Sequence, residues 1–250
     1  MTNKTITLEE PGHFVLGETN PPGQPGPGEA LVGVQRIGIC GTDLHAFRGQ
    51  QPFFTYPRVL GHELGVEVLA IGDGVDSVSV GDHCAVEPYL NCGECRACQS
   101  GRTNCCSSLQ VLGVHVDGGM RREIVVPANK LHGSDTLTLE QLALVETLGI
   151  GAHAVDRSGV TDGEDVLVIG AGPIGLAVTQ FAQIAGGRVT VLDINPGRLA
   201  FCRDLFGVQQ TIVSGEEGRK PIDQVTEAFN GELPTAVFDA TGFPPSMNAA

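Results

Sequence analysis

The chain has 250 residues, 41% hydrophobic and 18% charged, which suits two domains that each bury a core. Its formal charge of −14 argues against nucleic acid or an anionic membrane as partner, since both demand clustered Lys and Arg. No apolar run approaches the roughly 20 residues of a bilayer span, and the start Met1-Thr2-Asn3-Lys4-Thr5 lacks an export signal's apolar stretch, so a cytoplasmic protein is expected. Up to about residue 130, short β-branched stretches are cut by Gly and Pro: Ala30–Val34, Gly65–Ala70, His83–Glu87 and Glu123–Val126. Short strands between frequent turns predict a small β-barrel or sandwich.

Between those strands lie Cys40-Gly41-Thr42-Asp43-Leu44-His45 and Gly61-His62-Glu63. Together they offer the sulfur, nitrogen and oxygen donors that zinc accepts, and a catalytic zinc takes three protein ligands while leaving one position open. Cys40 and His62 are the natural ligands, a nearby carboxylate completes the set, and Thr42 and His45 are of types that move protons. A buried Cys beside a core His is the plainer alternative for such a pair taken alone.

A second cluster follows, Cys92-x2-Cys95-x2-Cys98-x7-Cys106. Four thiolates on one short loop suit a closed, tetrahedral zinc site without an open position for chemistry. Cys-x2-Cys-x2-Cys also begins an iron–sulfur motif, but that motif wants its fourth Cys after three residues and a Pro behind it, where Ser107 stands here. Spacing alone does not choose between Cys105 and Cys106 as the fourth ligand. With no export signal, metal binding accounts for these cysteines better than disulfides.

Near residue 135 the texture changes. Leu137–Val155 carries apolar residues at helical spacing, and from Asp165 strands and helices alternate. Strands are expected at Val166–Ile169, Arg188–Asp193, Thr211–Val213 and Ala236–Asp239, with helices reaching about Ala185, then over Pro196–Phe206 and Pro221–Phe229. That alternation implies right-handed crossovers and a parallel sheet. Gly170-Ala171-Gly172-Pro173-Ile174-Gly175 closes the first of these strands and opens a helix, the context in which a glycine turn binds a dinucleotide pyrophosphate. Asp193, at the end of the next strand, suits the two ribose hydroxyls and favours NAD, although Arg198 close behind it could accept the 2′-phosphate of NADP. The competing role for Asp193 is to cap the helix starting at Pro196.

Taken together, Gly38-Ile-Cys40-Gly-Thr42-Asp43-Leu-His45, Gly61-His62-Glu63, the four-cysteine loop, Val145-Glu146-Thr-Leu-Gly149 and the glycine turn with Asp193 resemble the zinc-containing medium-chain dehydrogenases. The resemblance covers nearly the whole chain. Tyr56-Pro57-Arg58-Val-Leu-Gly61 and Leu112-Gly-Val-His115-Val-Asp-Gly-Gly119 look most like the bacterial sugar-acid and polyol branch, near the L-galactonate 5-dehydrogenase-like proteins. It implies an α/β protein with a GroES-like β-barrel catalytic domain over 1–150 and a Rossmann-type nucleotide domain over 151–250. It also implies two zinc ions per chain. Cys40 and His62 match catalytic ligands, Glu63 and Glu146 match carboxylates either of which can complete the set, and Cys106 falls at the fourth structural position beside Cys92, Cys95 and Cys98. Asp43 matches the carboxylate that orients the ligating imidazole. The implied activity is hydride transfer from a secondary alcohol, a polyol or sugar acid, to NAD or less readily NADP, with Thr42 and His45 carrying off the alcohol proton. A zinc- and NAD-binding regulatory protein without turnover is the rival reading. The family ordinarily continues for another stretch of nucleotide sheet, so the sequence reads as a fragment of a longer enzyme, a homodimer or homotetramer when complete.

Overall fold

The computed structural model describes residues 2–52, 54–215 and 219–248, and the chain divides into two compact units, Met1–Glu146 and Thr147–Ala250. The first unit opens with strands β1 (Asn3–Glu10) and β2 (His13–Thr19), an antiparallel hairpin turned at Pro11-Gly12. Next come β3 (Glu29–Gly38), helix α1 (Gly41–Phe47), β4 (Glu63–Ile71), β5 (His83–Val86) and the short β6 (Tyr89–Leu90). Helix α2 (Arg96–Gln99), β7 (Gln110–Val111), β8 (Glu123–Pro127), β9 (Leu131–Gly133) and helix α3 (Leu139–Ala143) complete it. Five strands form one antiparallel sheet in the order β8-β3-β4-β5-β9. Its inward positions alternate with period two: Ala30 and Val32 on β3, Leu64, Val66 and Val68 on β4, and Ile124 and Val126 on β8 are all buried together. That alternation is what the β-branched stretches of the sequence encode.

A smaller core lies apart from this sheet and gathers Leu8, Ala46, Val59, Leu60 and Met120, with Phe54 and Tyr56 packed against it. It brings β1, α1 and the segment before His62 together. Leu8 and Arg58 exchange both backbone hydrogen bonds, and Met120 N–H donates to the Leu60 carbonyl at 2.9 Å.

In the second unit the strands are β10 (Asp165–Ile169), β11 (Arg188–Asp193), β12 (Gln210–Val213) and β13 (Ala236–Asp239). All are parallel, in the order β12-β11-β10-β13. Helix α4 (Val145–Ser158) begins at the junction of the two units, and α5 (Pro173–Ile184), α6 (Pro196–Phe206) and α7 (Pro221–Ala228) make the crossovers before a short α8 (Pro244–Met247). Val166, Val168 and Val191 pack on one face with Val178, Ala182 and Leu199 of α5 and α6. Leu167, Leu192 and Ile212 pack on the other face with Val225 and Phe229. Both faces are therefore buried, which explains why the strands read as continuous apolar runs. The strand order reverses between β10 and β13, and the crevice beyond the carboxyl ends at such a switch point is where open parallel sheets bind ligands.

The apolar residues at helical spacing over Leu137–Val155 are divided between two helices: α3 ends at Ala143 and α4 starts at Val145. Thr138 and Gln141 cap α3 reciprocally, which fixes it as a separate short helix.

Candidate active site and metal centres

Cys40 ends the turn after β3 and serves as N-cap of α1, with Asp43 reaching back so that its Oδ2 accepts the Cys40 backbone N–H at 2.9 Å. This capping fixes the cysteine's position. Residues 58–62 are clamped from two sides, by β1 at Arg58 and by residues 118–120, where Gly118 and Gly119 N–H donate to the carbonyls of Val59 and Gly61. His62 and Glu63, both buried, are thereby brought to Cys40. One donor atom from each of the three lies within 4.8 Å of the others.

The position of Glu63 depends on a missing side chain. A Cβ placed on Gly38 would lie 2.0 Å from Glu63 Oε2, in the register where Gly38 pairs with Glu63 across β3 and β4. Glycine at 38 therefore leaves the room that the carboxylate occupies.

His62 Nδ1 lies 3.8 Å from Asp43 Oδ1. Both atoms are buried and otherwise without a hydrogen-bond partner among the described residues, so each is the other's complement. With Nδ1 directed at a carboxylate, the opposite ring nitrogen is the one left for a metal. Burial by itself would lower the His62 pKa, but the Cys40 side chain and the Asp43 and Glu146 carboxylates lift it to about 9. Burial likewise raises the Asp43 carboxyl, against the Cys40 and Gly61 N–H groups and His62 that favour its charged form. A thiol and several carboxylates around one imidazole form an electron-rich pocket, the chemistry that suits a divalent cation.

Glu146 stands outside the ring of three. Its Oε1 accepts the Tyr89 hydroxyl at 2.6 Å, while its charge still bears on His62. The Tyr89 phenol is pushed well above its ordinary pKa by burial and by this carboxylate. Thr42 and His45 lie three residues apart on α1 and so share a face, Thr42 half-buried and His45 exposed. Tyr89 drew no signal in the sequence, because its partner is 57 residues away.

In the four-cysteine loop, Cys92, Cys95, Cys98 and Cys106 place their sulfurs within 4.8 Å of one another, whereas Cys105 is exposed and outside the group. Cys95 and Cys98 sulfurs are 3.5 Å apart, as are those of Cys92 and Cys106. These separations exceed a disulfide and approach the edge of a tetrahedron with zinc–sulfur bonds of about 2.3 Å. Backbone N–H groups of Cys92 and Cys95 donate to the Cys106 and Cys92 sulfurs at 3.4 Å. N–H groups near Cys95 bring its pKa down to about 6, and those at Cys92 and Ser108 lower Cys106, favouring thiolates there.

At the glycine turn, Gly170 holds φ +98 and Gly172 is the N-cap of α5 with open space where a Cβ would be. A Cβ on Gly175 would strike the Gly170 carbonyl oxygen at 1.7 Å. Thus one glycine makes the turn, one leaves room for a pyrophosphate and one lets the helix meet the strand. Pro173 is the first residue of α5, and Ile174 packs into the sheet's core. Asp193 is buried, its oxygens accepting N–H from Ala171 at 2.6 Å and Asn195 at 2.7 Å, with Arg198 Nη1 at 4.0 Å. The cap of α6 is Asn195, whose Oδ1 accepts from Gly197 and Arg198. Asp193 therefore does not cap that helix, and each of its oxygens keeps acceptor capacity for a ribose.

Tyr56 is packing material, its hydroxyl donating to the Ala46 carbonyl at 2.5 Å and its ring meeting Phe54 edge-on. Phe53 lies outside the described residues. His115 is exposed, its Nδ1 accepting the Val111 N–H.

Residues 26–135 match the family model described as alcohol dehydrogenase GroES-like domain, and residues 173–250 match that described as zinc-binding dehydrogenase. The chain is 40% identical to L-galactonate-5-dehydrogenase of Escherichia coli K12 over 248 residues, 99% of this chain and 72% of the relative. It is 39% identical over 241 residues to D-altritol 5-dehydrogenase of Agrobacterium fabrum, covering 92% of this chain and 70% of that protein. Among solved structures, the rspB alcohol dehydrogenase of E. coli CFT073, crystallised with NADH, superposes with a TM-score of 0.89 at 34% identity, over 98% of this chain and 71% of that one. Extent, motifs and fold agree, and the chain belongs to the zinc-containing medium-chain alcohol dehydrogenase family of NAD(P)-dependent oxidoreductases.

Proposed function

We propose that this chain oxidises a secondary alcohol of a sugar acid or polyol, with a catalytic zinc held by Cys40, His62 and Glu63 and NAD held at the Gly170–Gly175 turn. The observation that carries this reading is the mutual approach of the three donors within 4.8 Å, one each of sulfur, nitrogen and oxygen. Three donors leave a fourth position for substrate. Cys92, Cys95, Cys98 and Cys106 hold a second, structural zinc.

Zinc bound at the first set supplies the Lewis-acid polarisation that makes an alcohol proton labile near neutral pH, and NAD supplies the hydride acceptor. The chain's own residues do the rest. Asp43 Oδ1, 3.8 Å from His62 Nδ1, faces the Nδ1–H and so keeps the imidazole in one tautomer. Thr42 takes the alcohol proton and passes it to His45, which is exposed and delivers it to water. The Gly172 cradle and the α5 N-terminus hold the pyrophosphate, and Asp193 accepts the ribose hydroxyls.

Two relatives are named for dehydrogenation at position 5 of a sugar-derived chain, which favours a linear polyhydroxy substrate here. The test is NADH formation across sugar acids, hexitols and simple alcohols. Turnover confined to the polyhydroxy compounds is expected, whereas tight NAD binding without turnover on any of them would replace this reading with a regulatory one.

A further inference from the structure

Glu146 presents a problem of selectivity. A further carboxylate beside three donors can close the metal's last position, and a site with four protein ligands has no place for substrate. Yet the Glu146 carboxylate is engaged elsewhere, accepting the Tyr89 hydroxyl at 2.6 Å, a short bond of the kind an ionised acceptor makes.

Tyr89 is firmly placed. It lies on β6, paired with Val111 of β7, and these two strands flank the four-cysteine loop on either side. Leu112 N–H donates to the Pro88 carbonyl at 3.1 Å, and Glu87 N–H to the Lys130 carbonyl at 2.8 Å. Lys130, itself buried, also contacts Glu87 Oε1 at 2.5 Å. A tyrosine so anchored can hold a carboxylate in place rather than follow it.

We propose that Tyr89 is a positioning residue that holds Glu146 back from the Cys40, His62 and Glu63 donors and so keeps the fourth position of the catalytic metal for the alcohol. The tether rests on the metal reading above and goes beyond it. Without the hydroxyl, the Glu146 carboxylate loses its hydrogen-bond partner and turns to the nearest cation.

The experiment uses purified whole chain with Co2+ in place of zinc. Metal content is measured first: wild-type protein that binds metal only at the four cysteines would overturn the metal reading and the tether with it. In Tyr89→Phe protein without substrate, the visible cobalt spectrum is expected to change and release of the metal to a chelator to slow by about ten-fold, the scale on which groups behind the ligands act. The alcohol KM is expected to rise. In Tyr89→Phe/Glu146→Gln protein, spectrum, release rate and KM are expected to return to wild-type values, a rescue that a merely structural tyrosine would not show. An unchanged spectrum and release rate in Tyr89→Phe, or no rescue in the double variant, would overturn the tether. Should Tyr89→Phe fail to fold, Glu146→Gln alone decides: unchanged metal release supports the tether, and loss of the metal makes Glu146 a resident ligand and overturns it.

Discussion

The two proposed metal centres are built in opposite ways. The four-cysteine loop draws all its donors from Cys92 to Cys106, and its geometry is set by local turns and by N–H groups that point at sulfur. The Cys40, His62 and Glu63 set is assembled from two separated segments, by a helix cap at Cys40, a clamp on residues 58–62 and a void at Gly38. One centre uses a single donor type and is closed, while the other mixes donors and leaves room. A local site can be written in spacing, whereas a site that must stay open depends on residues far away that keep it so.

The largest effect that separates the two centres is expected from His62→Ala. Turnover should fall by about 10³-fold, the scale for losing a main electrostatic stabiliser, while the metal of the four-cysteine loop stays bound; equal loss of both metals would break the distinction. Cys95→Ser should do the reverse to stability, releasing the loop's metal and lowering the thermal midpoint by more than about 5 °C, the span of a loss of a few kcal/mol at this size. An unchanged melting curve would deny the loop a structural role.

Gly38→Ala sharpens the comparison. Its Cβ would lie 2.0 Å from Glu63 Oε2, so the carboxylate must move. Affinity for the catalytic metal should weaken by about 10–100-fold with the cysteine metal unaffected, as read by competition with a graded set of chelators. Unaltered affinity would remove Glu63 from the ligand set. Smaller still, Asp193→Ala should cut the preference for NAD over NADP by about ten-fold in kcat/KM, one ribose contact being worth on the order of 1–2 kcal/mol. An unchanged ratio would show that Arg198 or the backbone decides selectivity.

What the sequence discloses follows the same division. The four-cysteine spacing, the glycine turn and the four parallel strands are legible because each is carried by neighbours in the chain, whereas Cys40 and the His62-Glu63 pair are two short motifs that the fold brings together. The hairpin of β1 and β2 is not, since most of its residues face outward and the alternation that marks a half-buried strand is weak. Helix α1 is only seven residues long and is held by the Asp43 side chain rather than by an apolar stripe. Asn195 rather than Asp193 caps α6, a choice between residues two apart that composition cannot make. The Tyr89–Glu146 bond joins positions that only the folded chain brings together.

The central claim is that Cys40 belongs to a mixed-donor metal site distinct from the cysteine loop. Zinc-edge X-ray absorption on wild type and Cys40→Ser tests it most directly. Wild type should hold one zinc at each of the two donor groups, with sulfur and nitrogen or oxygen neighbours; Cys40→Ser should keep only the loop's zinc, surrounded solely by sulfur at about 2.3 Å. Undiminished zinc content in Cys40→Ser, with nitrogen or oxygen still in its first shell, would contradict the account.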